Sequence, residues 1–208
     1  MGSEMCIRDR RYFEEEISNE VNLSYSDNQV TVTTDYLTLV YTLNSEGYAS
    51  QCVYSLSSQN RIYQFSYSAE GYLTGIVENI DDTEYSSTSL TYENGDITSI
   101  SSKMNGLENK FIYEPGEESS TYHLPCLGLL EIHPLTFHIE ALYAGLLGKD
   151  PRHFTIRSCP AGSNDEKTIY SYEFDKKGNP SRMICQTTYA GGQANYYPYT
   201  RNISISFE

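Results

Sequence analysis

The chain has 208 residues, enough for one all-β domain with a sizeable core. Its 14 Lys and Arg face 28 Asp and Glu, a net charge of −14, which denies it the counterion-release gain that drives nucleic-acid binding and repels it from anionic membrane surfaces. Twenty Tyr with no Trp suit half-buried pleated surfaces, where the ring packs and the hydroxyl stays wet.

In chain order, Met1 to Arg10 reads as the translation of a sequencing adapter entered from an alternative start codon. We therefore expect it to stand outside the native fold, with residues 11–208 forming a single β-meander domain. The segment holds Glu4 and Asp9 against Arg8 and Arg10, so setting it aside leaves the net charge at −14. The natural start is then expected to be lost, and the lack of a signal peptide carries no information.

From Glu20 to Tyr113 turn signals arrive about every 12 residues. A glycine returns every 24, at Gly47, Gly71 and Gly95, each in an aromatic frame. The frames run from Tyr41 to Tyr48, from Phe65 to Tyr72 and from Leu90 to Asp96, and a late copy runs from Tyr170 to Asn179. Further turn signals fall between the glycines, at Asp27-Asn28, Thr34-Asp35, Ser57 to Asn60, Asp81-Asp82 and Asn105-Gly106. Short turns force consecutive strands to be antiparallel, which predicts about nine strands over this stretch. Asn94-Gly95 and Asn105-Gly106 fit two-residue turns with positive φ at both positions. Leu37, Leu39, Tyr41 and Leu43 share one face with Thr38 and Thr42 opposite, Tyr63, Phe65 and Tyr67 do the same with Gln64, Ser66 and Ser68 opposite, and Tyr170, Tyr172 and Phe174 repeat the pattern late. One face is thus aromatic and covered, the other Ser/Thr-rich and solvated.

The alternation lapses over an insert at about 117–166. Within it, Pro134 to Leu147 has helical spacing, with Leu135, Ile139, Leu142 and Leu146 on one stripe. Pro134 suits the first helical position, Gly148 the C-cap, and Lys149 the helix dipole. This Leu-rich helix is expected to cover the aromatic sheet face. Hairpin patterning resumes from Thr168 to Tyr189, and Ile203, Ile205 and Phe207 form a last alternating strand. The fold class is therefore all-β with one inserted helix: an antiparallel up-and-down meander, curled or partly closed around the helix.

Little in the sequence selects a reaction. His133 and His138 are five apart, which does not place two ligands on one helix face; with Glu131 and Glu140 nearby they read as a solvated helix start. Gly145 to Lys149 lacks phosphate-loop spacing, and Asp81-Asp82 falls at a hairpin tip. No nucleophile elbow or glycosidase carboxylate pair is selected. Outside the first ten residues, Cys52, Cys126, Cys159 and Cys185 form no C-x-x-C pair. They read as buried free thiols, with one disulfide open to an exported protein. No cofactor, metal or nucleic-acid partner is expected, and no stretch has the length of a transmembrane helix.

The Tyr-x-Tyr-x-Phe-Asp-x-x-Gly hairpins together with the segment Ala141 to Lys149 resemble the bacterial domain-of-unknown-function family 4595 over most of residues 20–208. The resemblance implies a porin-like β fold and a Bacteroidetes-type cell-envelope protein, secreted or lipid-anchored. It transfers no catalytic residue. The expectation is a non-enzymatic envelope protein with a structural or binding role. A glycan- or peptide-binding protein using the Tyr-rich loop with Tyr196, Tyr197 and Tyr199 is an alternative, and a transmembrane β-barrel is another. A glycan or an envelope protein is the expected partner.

Overall fold

The computed structural model describes residues 8–10, 21–33, 37–56, 59–119, 132–163, 165–174, 176, 180–188 and 199–204. They form one antiparallel sheet of fourteen strands in the order β1-β14-β13-β12-β11-β10-β9-β8-β7-β6-β5-β4-β3-β2. The first run is β2 (Asn22–Ser26), β3 (Gln29–Thr33), β4 (Thr38–Leu43), β5 (Ala49–Leu56), β6 (Gln59–Tyr67), β7 (Leu73–Ile80), β8 (Thr83–Glu93), β9 (Asp96–Met104) and β10 (Leu107–Ser119). These are the nine strands the turn period predicts. β11 (His153–Pro160), β12 (Lys167–Phe174), β13 (Pro180–Thr188) and β14 (Tyr199–Ser204) continue the meander. β1 (Arg8–Arg10), inside the adapter-like segment, pairs with β14. An unpaired edge accepts extended backbone of almost any sequence. β1 and β2 are the two ends of the strand order, so the sheet is open.

The turns are built as their residues require. Asn94 and Gly95 have φ of 54° and 89°, and Asn105 and Gly106 of 51° and 78°. Asp81 and Asp82 make the same tight turn, at 47° and 66°. Asn44-Ser-Glu-Gly47 and Ser68-Ala-Glu-Gly71 close longer loops, in which Gly47 N–H and Gly71 N–H donate to Asn44 and Ser68 carbonyls.

The inward face is the aromatic one. Tyr41 and Tyr63 are wholly buried, and Leu39, Phe65, Ile76, Leu90, Ile100, Tyr170 and Met183 join them in one core. Leu135, Ala141, Leu142, Leu146 and Leu147 from the insert pack into the same core. Burying each Leu side chain contributes about 1.5–3 kcal/mol. A flat fourteen-strand sheet would be ~60 Å wide, from the ~4.8 Å strand spacing. So short an insert covers the aromatic face from β3 to β13 only because the sheet curls round it.

The insert departs from expectation in two ways. A single helix over Pro134–Leu147 does not form. Instead there is a 3-10 turn (Leu135–Phe137) and a five-residue helix α1 (Ile139–Tyr143). The C-cap is Ala144, followed by the left-handed Gly145 at φ 71°, so Gly148 is not the cap and Lys149 is no partner of the helix dipole. Leu146 N–H donates to Ala141 O and Gly145 N–H to Leu142 O, the bonding of a Schellman end. Second, the supposed gap at 117–166 contains β11, and β10 reaches Ser119. β10 and β11 slip register at Pro115, and Phe154 and Thr155 are both buried, so the period-2 signal is erased there. Cys52 and Cys185 are buried free thiols, Cys159 is free and half-buried, and Cys126 lies outside the described residues. Burial raises the Cys52 thiol to about 12, against a smaller opposing hydrogen bond with Tyr41.

Gly71 has φ +92°, and a Cβ there would meet the Tyr48 ring at 3.2 Å, whereas at Gly47 (φ +86°) it would meet nothing within 4 Å. Gly71→Val is expected to cost more than the ~1 kcal/mol of left-handed strain, and more than Gly47→Val, with each kcal/mol lowering Tm by about 2–4 °C. Equal melts for the two variants would refute the packing role given to Gly71.

Candidate functional site

The three repeat turns lie on one rim of the sheet, two strands apart, or about 9.6 Å. The chain leaving α1 runs along that rim and bonds to each turn. Ala49 N–H donates to Leu146 O (2.7 Å), Lys149 N–H to Gly71 O (2.9 Å) and Arg152 N–H to Gly95 O (3.1 Å). The contacts recur every three residues, at Leu146, Lys149 and Arg152. One contact per three residues of the segment thus meets one turn per two strands of sheet. Gly148 allows the approach, because a Cβ there would lie 2.7 Å from Gly71 O.

The Tyr after each glycine has a partner one repeat onward. Tyr48 lies over Gly71, and a Cβ on Gly95 would lie 2.7 Å from Tyr72 Oη. Tyr48 also packs on Tyr67 (5.3 Å between centroids), and Tyr72 stacks on Tyr92 (5.0 Å, 29°). In the third repeat Asp96 replaces the Tyr. It accepts from His153 N–H (2.8 Å) and pairs with His153 Nδ1 (2.8 Å), anchoring the end of the rim segment.

A groove of about 660 Å³ opens between the second and third turns, under Lys149 and Arg152. Tyr72 and Tyr92 form its aromatic ledge, Leu90 adds an apolar patch, and Ser68, Thr74, Thr91 and Asn94 supply hydroxyl and amide groups. Glu70 is the one acid in the lining. Its carboxyl is held below the usual range, first by the Ser68 hydroxyl and its own backbone N–H, and also by the Lys149 charge. Lys149 and Arg152 are exposed. No ion pair within 4 Å engages either among the described residues. The groove thus offers ring faces, hydroxyls and two cations on an otherwise acidic protein.

The sheet interior holds a second polar assembly. Glu78 is fully buried, and its oxygens accept from Arg61 Nη1 (3.1 Å), Tyr63 Oη (3.3 Å), Ser86 Oγ (2.8 Å) and His133 Nε2 (2.6 Å). Burial alone would raise this carboxyl, but the His133 and Ser86 hydrogen bonds and the His133 and Arg61 charges outweigh it and hold it below 4.5. Thr88 and Ser102 hydroxyls donate to the His133 carbonyl. The Arg61 guanidinium lies over the Tyr85 and Phe137 rings. Every Glu78 lone pair is thus directed at a donor from the sheet or the insert, and we assign this cluster to fastening the insert.

The two insert histidines diverge. His133 goes to Glu78, whereas His138 is fully buried, 2.8 Å from Tyr41 Oη through Nδ1 and edge-on to Tyr63 (4.4 Å). Burial lowers His138 to about 3, the Glu78 charge opposing and the His133 charge assisting, and raises Tyr41 well above its usual range. Glu140 is raised by burial, and Glu131 lies outside the described residues. Among the described residues no group of three His, Cys, Asp or Glu converges as metal ligands would.

Tyr196 and Tyr197 also lie outside the described residues, and Tyr199 is placed only as the first residue of β14. Among the described residues, the tyrosines brought together at the groove are Tyr72 and Tyr92. Their signal was in the repeat: each flanks a rim glycine, and Lys149 and Arg152 follow Leu146 at the same three-residue step.

A family model described as a domain of unknown function (DUF4595) with porin-like fold matches residues 3–182. Among solved structures, a porin-like protein from Bacteroides uniformis superposes with a TM-score of 0.80 at 26% identity, over 96% of this chain and 83% of that one. No curated protein matches the chain.

His138 makes acid sensitivity predictable. Between its ordinary pKa of 6.5 and about 3, the unfolded chain binds a proton that the folded one refuses. Stability should therefore fall as pH drops through this window, by up to about 1.4 kcal/mol per unit. Glu78, lowered from 4.5, adds its loss below that value. Thermal melts of His138→Phe should show a flatter Tm profile from pH 6.5 down to about 3, keeping only the fall below 4.5 that Glu78 contributes. A profile parallel to that of the unaltered chain would contradict the assignment.

Proposed function

The chain belongs to the family described as a domain of unknown function (DUF4595) with porin-like fold, and from that premise we propose a non-enzymatic cell-envelope protein that works by binding, with the rim groove as its ligand site. The envelope address draws support from the likeness to the porin-like Bacteroides protein. The observation that carries the binding reading is the Tyr72–Tyr92 ledge, set in a groove beside exposed Lys149 and Arg152. Stacked tyrosines present a rigid apolar face with a polar rim, which matches the flat face and hydroxyl edge of a sugar ring. Hydroxyl, amide and carboxylate groups within reach of such a ring suit a glycan better than an apolar peptide side chain. This reading moves the glycan site from the loop of Tyr196, Tyr197 and Tyr199 to the rim.

The transmembrane-barrel reading draws less support. A lipid-facing sheet needs an outward apolar band. Here the exposed outward positions include Gln64, Ser66, Ser89 and Thr91, while the aromatic side chains turn inward onto the insert. No helix among the described residues is long and apolar enough to cross a membrane, which leaves strands as the relevant question.

Two outcomes are expected. On a glycan array the chain should retain a defined set of saccharides, and Tyr72→Ala and Tyr92→Ala should each weaken retention by about 5–50-fold, equivalent to ~1–2 kcal/mol. Retention of nothing would sink the binding reading. In detergent phase separation the chain should stay in the aqueous phase, and quantitative transfer to the detergent phase would favour the barrel.

A further inference from the structure

Resting on the groove as ligand site, we infer that the saccharide it takes is acidic, with its anionic group held by the Arg152 guanidinium and its ring on the Tyr72–Tyr92 ledge. The two cations of the groove are not equivalent. Lys149 shares its charge with Glu70, whose carboxyl it helps to hold ionised. Arg152 has no such neighbour in the lining, and no carboxylate lies within ion-pair distance of it among the described residues.

Arg152 is also the better placed. Its stem lies against the third turn, where a Cβ on Gly95 would fall 2.9 Å from Arg152 Cδ and 2.7 Å from Tyr72 Oη. The backbone of Arg152 is fixed by its bond to Gly95 O. The guanidinium fork is thus carried on an anchored stem beside the aromatic ledge, and a planar fork pairs with a carboxylate through two parallel N–H bonds. Glu70 and Lys149 at the other side supply an acceptor and a donor for ring hydroxyls. A −14 chain repels anions over most of its surface. Acceptance of an anionic sugar is therefore localised where Arg152 and Lys149 stand together.

The test is an array that carries uronic-acid, sialylated and sulfated glycans, each beside its neutral core, probed with the intact chain, Arg152→Lys and Tyr72→Ala. We expect the bound members to be acidic and held at least ~10-fold tighter than their neutral cores. Arg152→Lys keeps the stem and the charge but loses the fork, so the acidic preference should fall below ~3-fold. Tyr72→Ala should weaken acidic and neutral members by the same factor. Neutral cores bound as tightly as acidic members would overturn this inference and leave the groove reading standing. An acidic preference untouched by Arg152→Lys would also overturn it, since the anion would then be held elsewhere. Retention of no glycan at all would remove the groove reading beneath it. A melt of Arg152→Lys matching that of the intact chain confirms that a lost preference is not lost fold.

Discussion

The whole rim depends on a match of two periods. A glycine turn recurs every two strands of sheet, and a backbone contact recurs every three residues of the segment leaving α1. A 24-residue repeat therefore sets glycine turns at the interval that the segment Leu146 to Arg152 can reach with one backbone bond each. That match fixes where the insert leaves the core, so it fixes which side chains overhang the turns. A Cβ at Gly148 would sit on the Gly71 carbonyl and displace the segment outward, Lys149 and Arg152 with it.

The insert is held at its other end by polar contacts. Buried carboxylates are costly unless every lone pair is satisfied. Glu78 meets that demand with four donors, three from the sheet and one from His133. The sheet interior is therefore zoned. Around Glu78, Ser86 and Thr88 it is polar and takes the start of the insert, and around Tyr41 and Phe65 it is apolar and takes α1. An apolar face alone would let the insert slide, whereas directional bonds at one end and a backbone ladder at the other define a single seat.

Much of the fold was legible from the residues. Turn residues with special φ, such as Asn94-Gly95, mark hairpins through local sterics alone, and alternation at Tyr63 and Phe65 assigns the inward face. What escaped was non-local. The helix was read too long because Leu146 and Leu147 keep the apolar stripe after Gly145 has ended α1; their burial comes from the sheet, not from helical periodicity. Strand β11 escaped because the register slip at Pro115 breaks alternation. Glu78 was visible in principle, since it falls in phase with Ile76, but which donors meet it depends on an insert more than fifty residues away. The groove escaped for the same reason: Lys149 and Arg152 are two unremarkable cations until the rim places them over Tyr72 and Tyr92.

The replacement of Tyr by Asp at position 96 carries a wider meaning. In a perfectly periodic rim every such Tyr would lie over the next glycine turn, and the surface would be a uniform washboard with no place distinguished from any other. Asp96 is a fault in that lattice. It ends the Tyr series and turns toward His153, so Tyr72–Tyr92 is the last ring pair of the rim repeat. On the binding reading proposed above, the ligand would sit at the last ring pair before this break in translational symmetry.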